Sequence, residues 1–189
     1  MKHNFTWDIN KNLIPNYQKD SDIPEDVFSV TDDNKYGVLI YNIKELRMGS
    51  YYGMFAIYSQ SDPKAPLINY NSDKRAIHYN FKNTFDYAPL SDCFVFIHAA
   101  YKKDSIKPSM PYLFVNPIKK QFSFLDWDYT SIYYGFKEIS KDILQLYATY
   151  PLELDSRQVR NRTGEHVNLN DLTWYDIKHL NKAYDIYHS

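Results

Sequence analysis

YGVLIYNI, Tyr36 to Ile43, is apolar at both odd and even positions. Side chains on a strand alternate between its two faces, so a run with no polar side predicts a strand covered on both, hence a central one. Its Val, Ile and Tyr fit a pleated sheet. Asp32-Asp33-Asn34 precedes it, and short polar side chains of this kind bond to their own backbone and form turns. Downstream, Gly49 and Gly53 bracket an aromatic segment that leads into MFAIYS, Met54 to Ser59. The Pro-containing stretch Ser61 to Pro66 and then LINY follow, as expected of an antiparallel meander.

The pattern recurs. CFVFIHAA, Cys93 to Ala100, begins 57 residues after YGVLIY, and LFVN at Leu113 lies 58 residues after FAIY at Phe55. A turn at Asn116 to Lys120 and the run QFSFLDW complete the second set. A fixed offset of this kind predicts duplicated sheet units. A degenerate third copy aligns Tyr87 to Ala99 with Phe136 to Ala148. Units of this length resemble propeller blades in pattern, but closure of a propeller takes at least about four blades. The chain has room for about three. The expected fold class is therefore mainly β: antiparallel meander sheets packed as a sandwich-like or blade-like assembly, not a closed propeller, with a C-terminal amphipathic α-helix.

The remaining segments are read around this centre as parts of a single domain, 1–189. Residues 1–26, broken by Pro15 and Pro24, form an irregular arm anchored by Trp7, Ile9, Leu13 and Ile14. Residues 27–150 hold the repeated sheet units, and 151–169 a charged loop turning near Thr163-Gly164. Residues 170–188 are expected to be helical, with Asn170 or Thr173 as cap and Ile177, Leu180, Tyr184 and Tyr187 on one face.

Composition narrows the function classes. The 189 residues include 19 Tyr, 11 Phe and 3 Trp but only 5 Gly. Aromatic excess favours sheet, and Tyr on a surface also suits partner binding, because a large rigid ring loses little entropy on contact. Twenty-two basic against 23 acidic residues give a net charge of −1. No overall field exists to hold nucleic acid or an anionic membrane, so neither is expected as a partner. The start MKHNFTWDIN has no apolar core of a signal peptide, and the lone Cys93 offers no internal disulfide. A cytoplasmic location is expected.

Motifs for chemistry are sparse. The six His residues are scattered, Cys93 has no CxxC partner, and no phosphate-binding Gly loop is present. No metal and no cofactor are expected. Cys93 and His98, five apart on one strand, point to opposite faces and make a poor nucleophile pair. Glu45 and Arg47 fit an exposed ion pair of little consequence. Asp126 and Asp128, flanking Trp127, share a strand face and are candidate acid and base groups. Arg157, Arg160 and Arg162, with Glu165 and His166 behind them, form the densest cationic cluster, suited to an anion. As catalytic candidates these reduce to Asp126, Asp128, Arg160 and Arg162. The ordinary role of each is an Asx turn or a solvated loop.

The first expectation for function is a non-catalytic module that binds another protein, for example a bacterial immunity protein covering a toxin's active site. The alternative is a small hydrolase using the carboxylates with an Arg anion clamp. A deep pocket holding those groups would favour the enzyme, and an exposed aromatic patch the binding protein.

Overall fold

The computed structural model describes residues 7–14, 17, 26–46, 50–71, 77–79, 85–97, 111–126, 134–148 and 163–187. The chain divides into two compact units, residues 1–80 and 81–189. One copy of the duplicated meander falls in each. Among the described residues the structure is mainly β, with three antiparallel sheets, no closed barrel and a short C-terminal helix.

In the N-terminal unit β1 (Val27–Val30), β2 (Tyr36–Leu46), β3 (Ser50–Ser59) and β4 (Ile68–Tyr70) pair in chain order, and β5 (Ile77–Tyr79) joins β3. Strand β2 is central, and its Val38, Leu39, Ile40 and Tyr41 are all buried, as its two apolar faces require. The turn before it forms as its side chains dictate: the Thr31 hydroxyl donates to Asp33 Oδ1 at 2.6 Å, Asp33 accepts the Lys35 amide, and Asn34 adopts φ +58°. One face of this sheet, with Leu39, Tyr41, Ala56 and Tyr58, is covered by the arm through Trp7, Ile9, Ile14 and Tyr17. Leu13, expected among the anchors, is 49% exposed, since the short 3-10 turn Lys11–Leu13 swings it outward.

The C-terminal unit repeats the meander in β6 (Asp86–Ala88), β7 (Cys93–Ile97), β8 (Tyr112–Asn116) and β9 (Gln121–Leu125). They pair in sequence order, and β13 (Trp174–Asp176) adds beyond β9. A second, three-stranded sheet contains β10 (Tyr134–Ser140), β11 (Ile143–Ala148) and β12 (His166–Asn168). The inner faces of the two sheets share one core: Val95, Tyr112 and Phe114 on the larger, Phe136, Leu144, Leu146 and Val167 on the smaller. The Phe136 ring meets Tyr112 and Phe114 edge-on, with centroids 4.7 and 5.5 Å away. This unit is a β-sandwich.

The end of the chain departs from one continuous helix over 170–188. Trp174 and Tyr175 extend and pair with Ser123 and Phe122, and Tyr175 stacks on Phe122 at 5.5 Å. Among the described residues of this segment the helical pieces are the end of the 3-10 turn Leu169–Asp171, the 3-10 helix Ile177–Lys182 and α1 (Ala183–Tyr187). The cap is Asp176, whose carboxylate accepts the Lys178 amide, and not Asn170 or Thr173. Aromatic residues gain more by completing a sheet edge than by joining a short helix. Within the segment read as a charged loop, His166–Asn168 form a strand because Val167 inserts into the sandwich core. The turn at Thr163-Gly164 is present, with Gly164 at φ +89°.

Candidate functional site

Three turns of the C-terminal unit, between β6 and β7, β8 and β9, and β10 and β11, meet on one residue, the buried Ser91. Its hydroxyl donates to Glu138 Oε1 and accepts the Asp142 amide at 2.8 Å. Its carbonyl accepts from Asn116 Nδ2 at 2.8 Å, and Asn116 Oδ1 in turn accepts the Lys119 amide at 2.7 Å. The other oxygen of Glu138 accepts the Leu90 amide at 2.7 Å. Every polar group at this hub has a partner, so burying it costs little and the three turns are held together.

Beside the hub, on the side of β10, lies a cavity of about 350 Å³ lined by Tyr87, Pro89, Leu90, Phe136, Lys137, Glu138 and Tyr147. Gly135 shapes one wall. A Cβ there would stand 2.3 Å from Tyr147 Cζ, so only glycine lets the Tyr147 ring lie across β10. Its hydroxyl then reaches Asp86 Oδ1 at 3.3 Å, while Asp86 Oδ2 accepts the Phe136 amide at 2.9 Å. Tyr87 also lines the cavity, its ring 4.7 Å from Phe94 and its hydroxyl donating to Asp92 at 3.3 Å. The cavity is thus aromatic, and the carboxylates around it accept hydrogen bonds from the protein's own amides and hydroxyls. Lys137, on its rim, is exposed.

Of the sequence-derived catalytic candidates, Asp126 lies elsewhere. Asp126 follows the far end of β9, roughly 17 Å of strand from the β8–β9 turn. It is exposed, and its Oδ1 accepts the Tyr187 hydroxyl at 2.5 Å, tying α1 to the strand. Asp128, Arg157, Arg160 and Arg162 lie outside the described residues, as do His98 and Arg47. His166 is exposed on β12, within 3.4 Å of Gln145 Nε2. Cys93 is buried, and burial pushes its thiol far up, so the thiolate a nucleophile needs is suppressed. Among the described residues no group of three or more His, Cys, Asp or Glu converges as metal ligands would. None of their helices is long and apolar enough to cross a membrane.

The Ser91 hub escaped the sequence reading because its members are 25 to 51 residues apart. The signal present was Asn116 opening a turn. No family model matches the chain, nor does any curated protein or solved structure.

Proposed function

We propose that this chain is a non-catalytic protein-binding module, with the turn end of its C-terminal unit as the binding region. The observation that carries the reading is the combination at that end of large exposed apolar side chains with a fully bonded scaffold. Leu90 is 61% and Ile118 59% exposed, and the turns that bear them are joined through Ser91 and Asn116. Apolar groups held outward on fixed turns lose little further freedom on docking, which is the condition for a useful interface. The neighbouring cavity has aromatic walls and carboxylates occupied by internal donors, an arrangement that accepts a side chain more readily than it performs acid and base chemistry.

Inhibition of a toxin in the cytoplasm, as an immunity protein, is the narrower form of the proposal. It rests on the Tyr-rich composition and on the same surface. Capture on the immobilised full chain from a lysate of its own organism, read by mass spectrometry, tests the broad form. One stoichiometric protein partner is expected, and hydrolysis of a phosphoester or glycoside by the pure chain without any partner would sink it. Co-expression with the product of an adjacent gene tests the narrow form, rescue of growth being the expected outcome.

A further inference from the structure

Charge at the turn end narrows the partner, an inference that rests on the binding role proposed above. Lys119 and Lys120 in the β8–β9 turn, Lys137 on β10 and Lys141 in the β10–β11 turn are all exposed. Of the carboxylates nearby, exposed Asp176 pairs with Lys178 at 3.0 Å, Asp142 is half-buried beside Lys141, and the three around the cavity accept hydrogen bonds from the protein itself. Asp86 accepts from the Phe136 amide and the Tyr147 hydroxyl, Asp92 from the Tyr87 hydroxyl, and Glu138 from the Leu90 amide and the Ser91 hydroxyl. All three are half-buried. What this end offers outward is therefore more ammonium than carboxylate, with Lys119, Lys120, Lys137 and Lys141 set among the apolar side chains of Leu90, Ile118 and Ile139.

We infer that the turn end docks an acidic protein segment, with one apolar or aromatic side chain of the partner seated in the cavity and flanking carboxylates on the lysines. The cavity is of a size for one large side chain, and the rings of Tyr87, Phe136 and Tyr147 are part of its lining. Lys137 at its rim sets a cation beside whatever enters, so a carboxylate next to the anchoring residue completes the match. The positive and negative groups nearly balance in number, so complementarity acts at contact range and not as a long-range field.

A phage-displayed random peptide library selected against the full chain tests this without assuming a partner. Enriched peptides are expected to combine Asp or Glu with Leu, Phe or Trp. Leu90→Glu and the double change Lys137→Glu with Lys141→Glu should each weaken them by about tenfold or more, while Leu67→Glu on the N-terminal unit leaves affinity unchanged. All altered positions are exposed, and an unchanged melting temperature confirms each variant is folded. Basic or purely apolar winners, binding unaffected by the turn-end changes, or no enrichment would each overturn the assignment. The lysate capture separates this from the broader reading: a partner retained by the turn-end variants leaves a binding protein whose interface is elsewhere.

Discussion

The two units carry the same four-strand meander but cover it differently. In the N-terminal unit, Leu39, Tyr41, Ala56 and Tyr58 are roofed by a single irregular stretch, with Trp7, Ile9, Ile14 and Tyr17 as its contacts. In the C-terminal unit the equivalent strands are roofed by a whole second sheet, and Phe136, Leu144, Leu146 and Val167 seal the core. A sheet can thus be completed either by a cover with its own hydrogen-bonded ladder or by one that depends on side-chain anchors. The first is expected to open only with the fold. The second is expected to lift locally at lower free energy.

A buried carboxylate should expose that difference most strongly. Val95→Asp places an unpaired charge in the core between two sheets, and a loss larger than about 4 kcal/mol is expected, enough to unfold most domains. Leu39→Asp lies under the arm, which can move aside and let water in, so a smaller loss is expected, with a folded sheet and a protease-sensitive arm. Circular dichroism with limited proteolysis reads both. Equal collapse of the two variants would mean the arm is as fixed as a sheet.

Truncating one side chain from each roof measures the covers themselves. Phe136→Ala should cost about 3–5 kcal/mol, because a nearly buried ring wedged between Tyr112 and Phe114 leaves a cavity. Trp7→Ala removes a half-buried ring that packs on Phe28, with centroids 5.6 Å apart, and about 1–2 kcal/mol is expected. Urea denaturation with intrinsic fluorescence from the remaining Trp residues gives both values. A Trp7→Ala cost matching that of Phe136→Ala would erase the distinction.

What the sequence disclosed of this comparison was uneven, for physical reasons. Strands β2 and β7 were legible because apolar residues on both faces admit few other conformations, and the turns before β2 and between β8 and β9 because Asp33 and Asn116 act within a few residues. The smaller sheet was glimpsed only as a degenerate third copy, and β12 was missed because a three-residue strand with Val167 alone inside carries no period. Trp174 and Tyr175 fit a helical spacing as well as a strand, and only the Phe122 ring waiting on β9 decides between them. The candidate site was hardly legible at all. Side chains such as Ser91 and Glu138 acquire their role from a fold that brings residues 47 apart into contact. Asp126, singled out for chemistry, accepts the Tyr187 hydroxyl of the final helix, a contact 61 residues apart that no local pattern announces.

The smallest expected effect concerns the arm's polar fastening. Asp26 Oδ2 accepts from both Lys11 Nζ and the Tyr17 hydroxyl, each at 2.6 Å. Burial alone would lower the Lys11 ammonium, but the hydrogen bond and charge of Asp26, with Tyr17 beside it, hold it above its ordinary 10.5. The same hydrogen bond, together with burial, holds the Tyr17 phenol above 10.0. Both groups are therefore stabilised in their protonated forms by folding. Their contribution is complete below the unfolded values near pH 10 and is lost as pH rises through the raised ones. Asp26→Asn should accordingly lower stability at pH 7, by under about 1 kcal/mol because Lys11 is 43% exposed, and the gap should close above pH 10. The buried Tyr58 phenol, pushed up by burial to about 12, destabilises wild type and variant alike on ionising, so it cancels in the difference. Denaturant midpoints of the two proteins across that range provide the measurement. A gap that persists to alkaline pH would assign the effect of Asp26 to packing, and the arm would then be held by its apolar anchors alone.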